Sequence, residues 1–272
     1  MRERIVAELA SIERVEHVRI LYAVESGSRA WRFPSQDSDY DVRFLYLRPM
    51  QTYLSIAPTR DVIEQPIADD LEVTGWDMQK ALGLFQKSNP SILEWLHSPI
   101  VYLEQFHTAT RIRDLEPIYV KLRSSMFHYI NLAKGQFNRY LRGDMVPVKK
   151  YCYALRPVLA CGWLLEHGTF PPLDFSALMG SQLPESGELV NAIQALLQRK
   201  RAGDERDSEA RIPVIHAFLE EAIAAYEARV EAMVKEPKGA DQSMLDDLFR
   251  ALLKEAWELR IPGFSFIFAL LI

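Results

Sequence analysis

The feature that most constrains this chain is a pair of strand-like runs joined by a short polar loop. The stretch over residues 21–46 is LYAVESGSRAWRFPSQDSDYDVRFLY. Its pattern predicts a first strand over residues 20–25, a turn at the Gly27-Ser28 dipeptide and a second strand over residues 42–47. We therefore expect two neighbouring strands of one sheet, connected by a loop rich in turn-forming residues.

Asp39 and Asp41 open the second predicted strand. Side chains alternate between the two faces of a strand, so both carboxylates are expected on the same side and close together. Like charges held that close repel unless something positive lies between them, and the usual candidate is a divalent cation with oxygen ligands. The pair therefore predicts a metal site, although an Asp-x-Asp at a strand start is also common as a turn cap or a solvated edge.

The Gly-Ser turn is suited to hold a phosphate. Gly27 and Ser28 follow a strand and precede residues that can start a helix, so backbone N–H groups and the serine hydroxyl can point at an anion. Arg29, just past the turn, can add a bidentate contact to the distal phosphates, or instead pair with Glu25 or lie on the surface. Together, the turn and the two aspartates predict a site for a nucleoside triphosphate with Mg²⁺.

A strand, Gly-Ser, a ten-residue spacer and Asp-x-Asp resemble the signature of the DNA polymerase β-like nucleotidyltransferase superfamily. Within it, ESGSRAWRF and SDYDVRFLY are similar to the RNA-repair-associated nucleotidyltransferases known as the RNA ligase-associated polymerase family. The resemblance implies transfer of a nucleoside monophosphate to an RNA 3′ end, in functional association with an RNA ligase. Arg32 departs from the pattern, because similar proteins have glycine there. If the backbone needs a positive φ, arginine strains it; alternatively, Arg32 adds a phosphate ligand.

A third carboxylate on an adjacent strand would complete a site for two Mg²⁺ ions, with Mn²⁺ as a substitute. Glu72 lies in a brief alternating run and is placed to supply it. Asp77 is the rival, but its simpler interpretation is the N-cap of the helix that follows. The predicted metal ligands, which are also the predicted catalytic residues, are Asp39, Asp41 and Glu72.

The pattern changes from strands to helices from about Pro117 onward. We therefore predict an α/β fold, with a small mixed-sheet nucleotidyltransferase core followed by a mostly helical domain. The predicted division is a catalytic domain over residues 1–110 and a helical domain over residues 111–272. The long helices predicted in the second part are 148–167, 187–199, 212–235 and 242–259.

One predicted helix carries a stripe of polar side chains. Lys149, Tyr153 and Arg156 recur at i, i+4 and i+7, which places them along one face. We interpret the stripe as part of the nucleotide-binding site or as a contact for a nucleic-acid backbone; a solvated helix face is the alternative. The cations that could extend it are Arg139, Arg142 and Lys150.

The composition and net charge of the chain restrict the classes of protein to which it can belong. Of 272 residues 49% are hydrophobic, and the net charge of −5 argues against a non-specific nucleic-acid coat while allowing a local basic groove. Cys152 and Cys161 resemble neither a disulfide framework nor a zinc site. The N-terminus has no signal-peptide core, and the apolar run at 261–272 is too short to span a bilayer, so we expect a cytoplasmic enzyme without membrane contact. That run could be a final core element, an oligomer contact or an atypical terminus.

The sequence leaves other functions open. The acceptor hydroxyl could belong to a protein or to a small molecule such as an aminoglycoside. The chain could also be a catalytically silent nucleotide-binding module that keeps the fold.

Overall fold

The fold is that of a computed structural model. It describes residues 1–35, 38–147, 149–202, 208–234 and 241–258. The apolar run at 261–272 lies outside these residues. In the part of the chain that is described, no helix is long and apolar enough to cross a membrane.

A five-stranded mixed sheet forms the N-terminal half. Its strands are β1 (Arg19–Glu25), β2 (Tyr40–Leu47), β3 (Val62–Glu64), β4 (Leu71–Asp77) and β5 (Val101–Glu104). Their order is β3-β4-β2-β1-β5, and β2 pairs with β4 in parallel while the other pairs are antiparallel. The first two strands confirm the sequence prediction. β4 extends beyond the three-residue run expected, and β5 was not predicted.

Helices cover both faces of this sheet. They are α1 (Arg2–Val15), α2 (Gly27–Ala30), α3 (Met50–Tyr53), α4 (Met78–Gln86), α5 (Pro90–Leu96), α6 (Thr108–Arg113) and α7 (Glu116–Tyr119). α1 packs its buried Ile5, Leu9 and Ile12 against one face. On the other face, α4, α5 and α6 share a core with β1 and β2. β1 is therefore buried along almost its whole length, which explains its continuous apolar sequence.

The C-terminal half is mainly helical. Its elements are α8 (Leu122–Gln136), a π-helical segment (Phe137–Leu141), α9 (Lys149–His167), α10 (Phe175–Gln182), α11 (Glu188–Arg201), α12 (Pro213–Ala232), α13 (Ser243–Glu258) and a two-stranded pair, β6 (Met145–Val146) with β7 (Glu209–Ala210). A second apolar core joins α8, α9, α11 and α12. Cys152 and Cys161 lie in this core as free, buried thiols, as expected. The α/β fold class with a helical second part is thus confirmed.

Two details of the helical half differ from the expectation. Apolar residues recur at helical spacing from Ile118 to Phe137, which predicts one helix there. The structure has two instead, because Val120 and Lys121 are extended and separate α7 from α8. α10 was not predicted, although Asp174 caps it by accepting N–H donors from Ser176 and Ala177.

The division at residue 110 stays a prediction. The core on the sheet extends past it to Tyr119 and also takes up α13, whose Leu245 and Leu252 are buried there. This packing favours a boundary near Val120, with α13 returning to the N-terminal side.

Candidate active site

Asp41 and Glu72 lie side by side on the two parallel strands of the sheet. The register pairs Asp41 of β2 directly with Glu72 of β4. Arg43, two residues further along β2 on the same face, lies between the carboxylates. Its Nη2 is 3.1 Å from Asp41 Oδ1 and 2.8 Å from Glu72 Oε1. The sequence predicted a cation between Asp39 and Asp41; in the structure a guanidinium of the chain itself lies between Asp41 and Glu72.

The pKa of Asp41 responds to both of the other predicted acids. Burial is the largest effect and raises the pKa of Asp41 above its usual range. Arg43 lowers this pKa, and Glu72 and Asp39 raise it, so both carboxylates are close enough to act on Asp41. Asp39 itself is exposed and lies just before β2, which begins at Tyr40, so of the two aspartates expected to open the strand only the partly buried Asp41 belongs to it.

The Gly-Ser turn lies directly against Asp41. Gly27 has φ +60°, a left-handed conformation that favours glycine, and a Cβ there would be 2.2 Å from Asp41 Oδ2. The N–H of Ser26 donates to the Asp41 carbonyl at 2.8 Å. Ser28 is buried at the second position of α2. The bend and the second strand thus converge as the sequence predicted.

Glu25, at the end of β1, supports Asp41 from behind. It is fully buried, and its Oε1 accepts the backbone N–H of Asp41 at 2.8 Å while its Oε2 accepts the Tyr102 hydroxyl. Burial raises the pKa of Glu25 despite these hydrogen bonds. Sequence reasoning did not assign this residue to the site. An acidic residue ending a continuous apolar strand, immediately before the turn, was the available signal.

Arg29 holds the loop that carries Asp39. Its Nη2 donates to the Ser38 carbonyl at 2.7 Å and its Nε to the Asp39 carbonyl at 3.2 Å. The guanidinium also stacks over the Tyr40 ring, 3.7 Å from the centroid. Arg29 therefore orders the approach to β2, and the predicted phosphate contact would require it to leave these carbonyls.

Arg32 has the strained backbone that its departure from the glycine pattern indicated. Its φ is +63°, and its exposed side chain makes a 3.4 Å ion pair with Asp174. The loop geometry therefore requires a left-handed residue at this position, and arginine adopts it.

A cavity of about 400 Å³ opens beside Asp41, between the sheet and the helical half. Residues from both halves line it, among them Gly27, Asp41, Arg43, Glu94, Tyr153 and Arg156. Two of the three residues of the predicted α9 stripe thus reach the site. Lys149, the first residue of α9, is exposed and does not line the cavity.

Arg156 is the most deeply buried cation of the cavity wall, with 1% exposure. Its Nη1 is ion-paired with Glu94 Oε1, and its guanidinium lies 4.7 Å from the Trp31 ring centroid. Trp31 Nε1 donates to the other oxygen of Glu94 at 3.2 Å. Glu94 and Trp31 were not predicted as site residues, because their contacts to Arg156 join distant parts of the chain.

Several buried polar atoms around the cavity have no hydrogen-bond partner within the described residues. They are Arg156 Nε and Nη2, the Tyr129 hydroxyl and Gln136 Oε1. All three residues line the cavity. Burial raises the pKa of Tyr129, so this phenol stays protonated and can donate. Buried donors and acceptors that make no hydrogen bond within the protein are typical of a site that binds a polar ligand or ordered water.

Asp77, the rival to Glu72, has a structural role. It accepts the Gln79 N–H at 2.9 Å as the N-cap of α4 and accepts the Tyr53 hydroxyl at 2.8 Å. It ends β4, whereas Glu72 lies near the beginning of that strand.

Within the described ranges, no three His, Cys, Asp or Glu side chains are arranged to hold a metal ion.

A mixed sheet with adjacent carboxylates beside a glycine turn defines a nucleotidyltransferase-like protein. The chain belongs to the RNA repair pathway DNA polymerase beta family (RlaP), whose family model matches residues 1–251.

Two further similarities were found. The chain is 50% identical over 261 residues to "Uncharacterized protein YcgL" from Bacillus subtilis (strain 168), covering 95% of this chain and 98% of that protein. A crystal structure of a nucleotidyltransferase-like protein from Exiguobacterium sibiricum 255-15 is 16% identical, with a TM-score of 0.30, covering 86% of this chain and 82% of the other.

Proposed function

We propose that this chain is a metal-dependent nucleotidyltransferase that transfers a nucleoside monophosphate from an NTP to the hydroxyl of an RNA 3′ end. The family, described by an RNA repair pathway and a polymerase, supports the reaction class and the acceptor. The observation that carries the proposal is the side-by-side placement of Asp41 and Glu72, next to the positive-φ turn at Gly27 and at the edge of the cavity.

In the proposed step, the acceptor oxygen bonds to the α-phosphorus of the NTP. The bond from that phosphorus to the bridging oxygen breaks, its electron pair leaves with pyrophosphate, and the acceptor hydroxyl gives up its proton to solvent. The chain must bring anionic groups together in the right geometry. The Gly27 backbone and the Ser28 hydroxyl are proposed to orient the distal phosphates, and Arg29 to join them if it leaves its loop carbonyls.

The carboxylates suit a hard cation in their donor chemistry, since all are oxygen ligands. Arg43 brings one positive charge to the two carboxylates that it contacts, so Asp41 and Glu72 together keep a net negative charge when both are ionised. Asp39, Asp41 and Glu72 would hold Mg²⁺, with two ions expected and Mn²⁺ as a substitute. The Arg43 guanidinium would first have to move away from the Asp41 and Glu72 oxygens that it contacts. When bound, the metal acidifies the acceptor hydroxyl and neutralises charge on the leaving pyrophosphate.

The nucleoside is proposed to enter the cavity. Tyr153 and Trp31 offer aromatic surface, and their ring centroids are 5.7 Å apart. Arg156, held by Glu94, would orient the nucleoside through the edge of its guanidinium that has no partner within the described residues. Lys149 stays a predicted contact from outside the cavity, either with the nucleotide or with a nucleic-acid backbone. A cytoplasmic location stays a prediction, and functional association with an RNA ligase is proposed on the family resemblance alone.

The test is transfer of label from each common α-labelled NTP, with Mg²⁺, in the presence and absence of single-stranded RNA. We expect label on RNA, and at least about 100-fold less of it with Asp41→Asn. Label on the protein would favour a protein acceptor. Bound NTP with label nowhere would favour a silent nucleotide-binding module.

Asp41→Asn is expected to fold normally. The substitution keeps the shape of the side chain and leaves an oxygen for Arg43 to contact. It removes a carboxylate whose charged form is disfavoured by burial, which raises the pKa of Asp41. The matched control is Asp69→Asn, because Asp69 is a largely exposed aspartate that pairs with Arg4 on the surface. We expect the control to transfer label like the original chain. Full transfer by Asp41→Asn would contradict the metal assignment.

A further inference from the structure

Four cations that lie close together in the sequence of the helical half have no acidic partner among the described residues. They are Arg139, Arg142, Lys149 and Lys150, and we refer to them as the cationic strip. Neighbouring cations elsewhere in this half are neutralised, for example Lys134 by Glu227. In a chain with a net charge of −5, four such cations within twelve residues form a local site of opposite sign.

Aromatic rings join the strip to the cavity. Lys150 Nζ lies 4.4 Å from the Tyr140 ring centroid and 5.3 Å from that of Tyr153. Arg139 lies over the same Tyr140 ring at 5.2 Å. Tyr153 lines the cavity, and its ring packs against Trp31 at 5.7 Å. A continuous series of cation–π and ring contacts therefore leads from the cavity wall to the exposed Arg139.

We infer that the cationic strip binds the phosphate backbone of single-stranded RNA whose 3′ end lies in the cavity. Lysine and arginine side chains interleaved with aromatic rings are the combination that single-stranded nucleic acid contacts. The inference rests on the proposed function, since it supplies the surface on which the acceptor strand would lie.

The position of the strip favours an RNA strand over the triphosphate of the NTP. The cations that line the cavity, Arg43 and Arg156, are already paired with acids. Lys150 does not line the cavity, but its Nζ lies 5.3 Å from the ring centroid of Tyr153, which does. The unfavourable overall charge also means that affinity for RNA must come from such a local surface.

The experiment measures equilibrium binding of a short fluorescent single-stranded RNA by anisotropy, without NTP, over a series of salt concentrations. Lys150→Gln should weaken binding by about 3- to 10-fold at low salt. It should also reduce the slope of log affinity against log salt by about 0.7, and adding Arg139→Gln should double that reduction. The control is Lys254→Gln, the same charge change on the exposed face of α13, which should alter affinity by less than about 2-fold.

Urea unfolding of each variant separates loss of binding from loss of folding, and NTP affinity is measured in parallel. Unchanged RNA affinity and salt slope in the folded double variant would overturn the inference. So would a loss of NTP affinity with RNA binding intact, because Lys150 would then contact the triphosphate. If the strip variants weaken RNA binding but no NTP labels RNA, the inference that the strip binds RNA holds and the proposed nucleotidyl transfer is wrong. If RNA is labelled while the variants bind RNA with unchanged affinity, the proposed transfer holds and the inference about the strip is wrong.

Discussion

Replacing Gly27 by alanine tests the contact on which the site depends. Alanine must adopt φ +60° and place its Cβ 2.2 Å from Asp41 Oδ2. The left-handed conformation costs about 1 kcal/mol, part of which is offset by the stiffer unfolded chain. Relieving the overlap requires a shift of about 1 Å, and overpacking of this kind costs about 1–3 kcal/mol. We therefore expect the free energy of unfolding to fall by about 2–4 kcal/mol.

The same shift should damage catalysis. Asp41 would be displaced relative to Arg43 and Glu72, and a displacement of about 1 Å in a reacting group costs about 100-fold in rate. The assays are urea unfolding and transfer of label to RNA, the second of which rests on the proposed function. Gly83→Ala is the control, because Gly83 lies inside α4 and a Cβ there meets nothing within 4 Å among the described residues. The control should gain about 0.5–1 kcal/mol and keep its activity.

The outcome that would refute this reasoning is specific. If Gly27→Ala unfolds within about 0.5 kcal/mol of the original chain, the turn does not press on Asp41. If the variant is destabilised but transfers label at the original rate, the contact is structural and the turn has no part in orienting the reactants.

Two further predictions concern strain and burial around the same loop. Arg32→Gly should raise the free energy of unfolding by about 1 kcal/mol in urea titrations, because it relieves a positive φ at the cost of an exposed ion pair; a loss of stability would show that the side chain matters more than the backbone. Burial raises the pKa of Glu25 above its ordinary 4.5, so the folded state holds the proton more tightly than the unfolded state. The stabilisation from Glu25 is therefore full at low pH and declines as pH rises through the raised pKa. Relative to Glu25→Gln, the original chain should lose stability from about pH 4.5 upward, and parallel pH profiles of the two proteins would contradict this assignment.

The features that sequence reasoning predicted are those encoded locally. The two central strands follow from the apolar run at 20–25 and the alternation at 42–47. The bend between them follows from Gly27, which takes the positive φ that only glycine adopts easily. Because strand pairing and turn chemistry act over a few residues, the approach of the turn to Asp41 could be expected from the amino-acid sequence.

The features that it missed depend on distant partners. Glu25 and Tyr102 are 77 residues apart, and Arg156 and Glu94 are 62 apart, so no local pattern joins them. The break between α7 and α8 has a similar origin, since the Lys121 N–H donates to Ser88 Oγ instead of continuing a helix. β5 was missed because its four residues, none of them fully buried, carry no periodic signal.

Arg43 shows why electrostatic reasoning from sequence identified the need for a positive charge but not its source. The repulsion between the predicted acids is met first by this guanidinium, which contacts both Asp41 and Glu72. One unit charge does not balance the cluster, because Arg43 meets the two ionised carboxylates that it contacts with a single positive charge. The chain therefore holds its carboxylates together with an internal cation and keeps a residual attraction for a further one. A cation of higher charge, arriving with a polyphosphate, would then compete with Arg43 for oxygens that are already in position.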